Sequence, residues 1–129
     1  MSITRPAPVS ALLEQAHREA YRLEPPQLAA FLANFLGRPT VARLTKTANP
    51  NTVTKWRLEK AVPEASRLER MREAYQIFWT LTHLGLSDVN AEQWLRGKNP
   101  VLGFRMPVDV LADGDFEVVI KAVKHFATE

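Results

Sequence analysis

Residues 39–60 read Pro39-Thr40-Val41-Ala42-Arg43-Leu44-Thr45-Lys46-Thr47-Ala48-Asn49-Pro50-Asn51-Thr52-Val53-Thr54-Lys55-Trp56-Arg57-Leu58-Glu59-Lys60. Pro39 suits the first turn of a helix, because the N–H it lacks has no intrahelical partner there, and Val41 and Leu44 lie three apart on one face. That helix is predicted to end near Thr47-Ala48. Asn49 then stands where a side-chain oxygen caps a new helix, with Pro50 as its first residue. The second helix is predicted from about Pro50 to Lys60. Val53 and Trp56 point inward, and Asn51, Thr52, Thr54, Lys55 and Arg57 occupy the other face.

Working outward, the same signals recur. Ser10 is placed to cap a helix over 11–23 with Leu12, Leu13, Ala16 and Ala20 as its apolar positions. Pro25-Pro26 opens the next, where Leu28, Phe31, Leu32, Phe35 and Leu36 keep the spacing of one buried face and Gly37 supplies a left-handed stop. Pro63 begins the longest helix, carrying Leu68, Met71, Tyr75, Phe78 and Leu81 or Thr82, which Gly85 ends. Leu86-Ser87-Asp88 supplies a hydrophobic position, a cap and a first-turn acid for a helix with Trp94-Leu95 on its inner face, which stops at Gly97. Between Lys98 and Asp115 the residues Pro100, Gly103, Pro107 and Gly114 leave room only for a helical turn at 107–111. The segment Phe116 to Val123 is rich in β-branched residues but also puts Phe116, Val119, Ile120 and Val123 on one helical face. A lone strand would have no sheet to join, so helix is predicted. The fold class is all-α.

The chain has 129 residues and no cysteine. This length suits one compact domain or two very small ones, and the missing thiols exclude a disulfide framework, a thiolate metal site and a cysteine nucleophile. The longest uncharged stretches fall short of the roughly 18–20 apolar residues a membrane span needs, and the first residues lack the basic head and apolar run of a secretory signal. A loose arm over 1–9 and a cytoplasmic location are expected.

The net charge of +3 hides an asymmetry. Residues 1–37 carry three basic and three acidic groups, residues 38–75 nine and four, and residues 76–129 five and seven. The basic centre contains the tight helix pair. A supporting helix, a tight turn and a second helix with an apolar inner face and a basic outer face are what a helix-turn-helix needs to read a DNA groove. The candidate DNA contacts are Asn51, Thr52, Thr54, Lys55 and Arg57. A short helix pair with a solvated basic face is the plainer alternative.

Residues 28–60, through Val41-Ala42-Arg43-Leu44, Asn49 to Val53 and Trp56, resemble the helix-turn-helix of Xre-type regulators. The run Trp94-Leu95-Arg96-Gly97-Lys98-Asn99-Pro100-Val101-Leu102-Gly103-Phe104-Arg105-Met106-Pro107-Val108-Asp109-Val110-Leu111 resembles the toxin-binding domain of Xre/MbcA/ParS-type antitoxins. The resemblance covers roughly residues 25–126. It implies a helix-turn-helix bundle over 10–62, a long connecting helix over 63–85 and a small helical toxin-binding domain over 86–129. It also implies an antitoxin that dimerises, represses its own operator and neutralises a RES-domain toxin, an enzyme that consumes NAD. Contacts to that toxin are expected from Arg96, Lys98, Asn99 and Arg105 on the loop and from Lys121, Lys124 and Glu129 near the terminus. Trp94, Leu102, Gly103, Pro107 and Leu111 are expected to shape the loop and pin it to the core. The net acidity of 76–129 would suit covering a pocket that binds the phosphates of NAD. The alternative is a stand-alone helix-turn-helix regulator whose C-terminal part binds a ligand or another protein.

No nucleophile elbow, dinucleotide fingerprint, P-loop or zinc-protease motif occurs, so catalysis is not expected, and neither is a cofactor. His17, His83 and His125 lack metal-ligand spacing, and Asp113-Gly114-Asp115 is expected to cap the terminal helix.

Overall fold

The computed structural model describes residues 8–128. Among them are eight α-helices: α1 (Val9–Arg22), α2 (Pro25–Leu36), α3 (Arg38–Thr45), α4 (Asn51–Arg57), α5 (Ala65–His83), α6 (Asp88–Arg96), α7 (Pro107–Ala112) and α8 (Phe116–Thr128). A single 3₁₀ turn, Pro100–Leu102, lies between α6 and α7. There is no β-strand among the described residues, and the protein is all-α. No helix there is long and apolar enough to cross a membrane.

The spine is α5, against which α1, α2, α3, α6, α7 and α8 all pack. Met71, Ala74, Ile77, Phe78 and Leu81 are its buried apolar positions. The core they join is continuous, running from Leu28 in α2 through Val53 and Trp56 in α4 to Val119 and Val123 in α8. Helix α1 buries Leu12, Ala16 and Ala20, a stripe with four-residue spacing whose small side chains allow close approach to α5. Phe31, Phe35, Tyr75 and Phe78 form an aromatic cluster between α2 and α5, with neighbouring rings 4.7–5.4 Å apart. Such tilted and edge-on pairs add to the area they bury.

Two charged side chains of α5 are buried, and each has a partner. The Arg72 guanidinium donates to the carbonyls of Ala20 and Leu23, and it lies 4.9 Å from the Tyr21 ring centroid. It satisfies carbonyls that the end of α1 leaves open. Glu73, with a side chain only 8% exposed, has Arg70 Nε 2.9 Å from its carboxylate. Burial pushes the Glu73 carboxyl up to about 7, outweighing the downward pull of Arg70, while Glu69 and Glu117 push it further up.

Several expected boundaries move. Helix α1 begins at Val9, so Ser10 lies inside it and does not cap it. Seven of the nine arm residues, 1–7, lie outside the described residues. Gly37 has φ +83° and ψ 150°, which is glycine backbone but not left-handed helical. The extended ψ is needed because α3 starts at the very next residue, leaving no space for a longer turn. Helix α5 starts at Ala65 rather than Pro63, and Pro63 is buried ahead of it. Ser87 caps α6 as its sequence suggested, accepting the Asn90 N–H at 3.1 Å.

Candidate functional site

The corner between α3 and α4 is closed by backbone and side-chain hydrogen bonds. Lys46 ends α3 in a left-handed conformation, φ 54°, and the Thr47 N–H donates to the Ala42 carbonyl at 2.8 Å. The Thr45 hydroxyl donates to the Val41 carbonyl, and the hydroxyls of Thr45 and Thr47 lie 2.8 Å apart. Asn49 Oδ1 accepts the Asn51 N–H at 2.9 Å, while Pro50 already has helical dihedrals. Val53 and Trp56 are buried at 0% and 2% exposure.

On the opposite face Asn51, Lys55 and Arg57 are exposed, and Thr52 and Thr54 are half-buried. The helix stops at Arg57, three residues before the expected end, because Glu59 turns left-handed at φ 59° and Lys60 N–H closes back onto Lys55. The Thr54 hydroxyl accepts from Arg38 Nη1 at 3.0 Å. Arg38 therefore joins this face, although sixteen residues separate the pair. Helical periodicity could not find it, since it begins a different helix.

The basic residues of the corner have two fates. Arg43 of α3 makes a two-pronged pair with Asp109 of α7, at 2.6 and 2.8 Å, which raises the Arg43 pKa. Lys46 pairs with Asp113 at 3.0 Å. Arg38, Lys55 and Arg57 have no ion pair among the described residues.

The C-terminal loop uses the same device as the corner. Asn99 Oδ1 accepts the Val101 N–H at 2.9 Å, and its own N–H donates to the Arg105 carbonyl at 3.1 Å. Gly103 and Phe104 then turn the chain, both at φ +64°. Gly103 has open space where a Cβ would stand, so it is there for its dihedral and not for a close contact. Phe104 has no such excuse: it is a bulky residue in left-handed backbone, a strain of about 1–2 kcal/mol, and the residue is 67% exposed. Leu102, Pro107 and Leu111 are buried, and half-buried Trp94 meets Phe126 edge-on at 6.4 Å.

Most of the polar loop residues expected to meet a partner already have partners within the chain. Arg96 pairs with Glu92 at 2.6 Å, Asn99 holds the turn, and Arg105 pairs with Asp113 at 2.5 Å. Asp113 thus ends α7 and bridges Arg105 and Lys46, while Asp115 directly precedes α8 and its carbonyl accepts the Val118 N–H; the two donors hold the Asp113 carboxyl below the usual range. Lys98, Lys121 and Lys124 are exposed and have no ion pair among the described residues. Lys124 lies in a groove between α1 and α8 beside Glu14 and His17. Glu129 lies outside the described residues. No group of three His, Asp or Glu side chains placed to hold a metal exists among the described residues.

No family model matches the chain, and no curated protein or solved structure matches it.

Proposed function

We propose that the chain is a DNA-binding antitoxin whose α3–α4 corner is a helix-turn-helix and whose C-terminal region neutralises a RES-domain toxin. The observation that carries the DNA-binding half is the outer face of α4. Arg38, Lys55 and Arg57 stand there without an ion pair among the described residues, above a fully packed Val53 and Trp56. Cations left unpaired on a rigid helix are free to meet phosphate, and each phosphate contact releases counterions. The toxin-binding half rests on the resemblance of Trp94 to Leu111, supported by the compact folded-back loop those residues build.

The test uses the whole chain. Helices α7 and α8 supply Val110, Leu111, Val119, Ala122 and Val123 to the shared core, so a truncation after Gly85 would expose that core and confuse unfolding with loss of function. Lys55→Glu with Arg57→Glu is expected to abolish binding to the DNA upstream of the gene while leaving the unfolding temperature unchanged. The parent's affinity should fall with salt at a log-log slope of about −0.9 per phosphate contacted. In co-expression with the product of the neighbouring gene, the parent and this variant should both preserve growth and cellular NAD. Unchanged DNA affinity in the variant overturns the groove assignment. A harmless neighbour overturns the antitoxin and leaves a stand-alone regulator in its place.

A further inference from the structure

A cavity of about 360 Å³ opens where the end of α3, the first turns of α5 and the link between α7 and α8 meet. That volume lies at the lower end of the range of small-molecule sites. Lys46 lines it from the end of α3 and Arg67 and Arg70 line it from α5, while Glu64 and Asp113 are the acids on its wall. No aromatic or large apolar side chain lines it among the described residues. Gly114 closes one side at φ +89°, and a Cβ there would stand 2.9 Å from Arg70 Nη1. The missing side chain leaves the guanidinium its place at the cavity edge.

The acids do not balance the cations. Asp113 is shared between Lys46, 3.0 Å from one oxygen, and Arg105 on the other. Glu64 meets Arg67 only at 3.8 Å, and its side chain is largely in solvent, where such a pair contributes little. Arg70 faces Glu73, whose carboxyl burial pushes up to about 7, so near neutral pH the Arg70 charge is only partly cancelled. With Glu73 protonated, the four cations Lys46, Arg67, Arg70 and Arg105 stand against the two carboxylates Glu64 and Asp113, a surplus of two charges. Asp115 and Glu117 follow in the chain but do not line the cavity. The first turn of α5 adds a smaller contribution, since the N–H groups of Ser66 and Arg67 have no acceptor among the described residues and lie at the positive end of the helix dipole.

We propose that this cavity binds a small phosphate monoester, its phosphoryl oxygens held by Lys46, Arg67 and Arg70. Such a group carries close to two negative charges at neutral pH, and guanidinium forks suit its oxygens. A wall without rings fits a compact polyol body and offers a nucleobase nothing to stack on. This goes beyond the DNA-binding antitoxin assignment and does not depend on it.

The experiment titrates the full chain with glycerol 3-phosphate, glycerol and the diester dimethyl phosphate while the amide N–H signals of Ser66 and Gly114 are followed by NMR. Glycerol 3-phosphate is expected to move both signals to saturation and glycerol to leave them in place. Dimethyl phosphate, with a single charge, should bind about tenfold more weakly than the monoester. Arg67→Gln should weaken glycerol 3-phosphate about tenfold, and Glu64→Gln, which removes a competing carboxylate, should strengthen it about threefold. Both variants break only the loose 3.8 Å pair, so the unfolding temperature should stay that of the parent. The proposal is overturned if glycerol 3-phosphate leaves both signals in place, if glycerol moves them as far, or if both variants bind it as the parent does. A diester that binds as tightly as the monoester assigns the cations to a nucleic-acid backbone and also overturns it.

Discussion

The α3–α4 corner and the loop at 97–105 are built alike and end differently. Each has an Asn-Pro pair whose asparagine Oδ1 accepts a backbone N–H two residues on, at 2.9 Å in both cases, and each uses a non-glycine residue at positive φ. In the corner the following helix is anchored by a tryptophan at 2% exposure, and the charges beyond it stay unpaired. In the loop the tryptophan is half-buried, and Arg96 and Arg105 are held by Glu92 and Asp113. The same local device thus presents a polar face at one site and an apolar one, Val101 and Phe104, at the other. Which residues a surface offers depends on which of them the neighbouring helices have already engaged.

The comparison breaks most readily at the anchors. Trp56→Ala should cost about 3–5 kcal/mol, the range for a fully buried large aromatic, whereas Trp94→Ala should cost clearly less. Equal losses in chemical denaturation would mean that the two turns are anchored alike.

A second test lies at the seam between the regions, where Arg70 lines a cavity shared with Thr45, Lys46, Asp113 and Gly114. Glu73 beside Arg70 has a folded pKa of about 7, above its ordinary 4.5. The folded state therefore holds its proton more tightly than the unfolded chain. The resulting stabilisation is complete below about pH 4.5 and is lost as pH rises through about 7. Unfolding free energy should drop by up to about 3 kcal/mol from this group across that interval, and Glu73→Gln should flatten the drop. A parent whose stability is level from pH 5 to about 8 would show that Arg70 keeps Glu73 ionised throughout.

Phe104→Gly should stabilise the chain by about 1 kcal/mol, or roughly 3–6 °C in Tm, because it removes left-handed strain at a mostly exposed position. A fall in Tm would show that the loop depends on the ring. The smallest effect is expected from Asp109→Asn, which frees Arg43. If pairing alone withholds the charge of α3 from a polyanion, DNA affinity should rise slightly and the salt slope should steepen by no more than about 0.9. An unchanged slope would mean that Arg43 faces away from the DNA even when released.

Much of the helical order was legible in the chain. Apolar spacing, prolines at helix starts and Ser87 as a cap located the elements, because these signals act within a turn or two of their own position. The terminal segment became a helix despite its β-branched residues, since Val119, Ala122 and Val123 share one face that α5 and α7 cover. Boundaries moved where the next helix follows at once, as at Gly37, or where a left-handed residue ends a helix early, as at Glu59.

From its own residues the sequence determined that the protein would be helical, that Val53 and Trp56 would anchor a short helix, and that the middle of the chain would be basic. Only the tertiary structure decided which of those charges remain available. Arg43 finds Asp109 across sixty-six residues and Lys46 finds Asp113, while Arg38 turns to Thr54 and joins α4. An ion pair between distant residues leaves no periodic trace in either partner's segment, because it depends on how α3 and α7 pack and not on what lies three or four residues away.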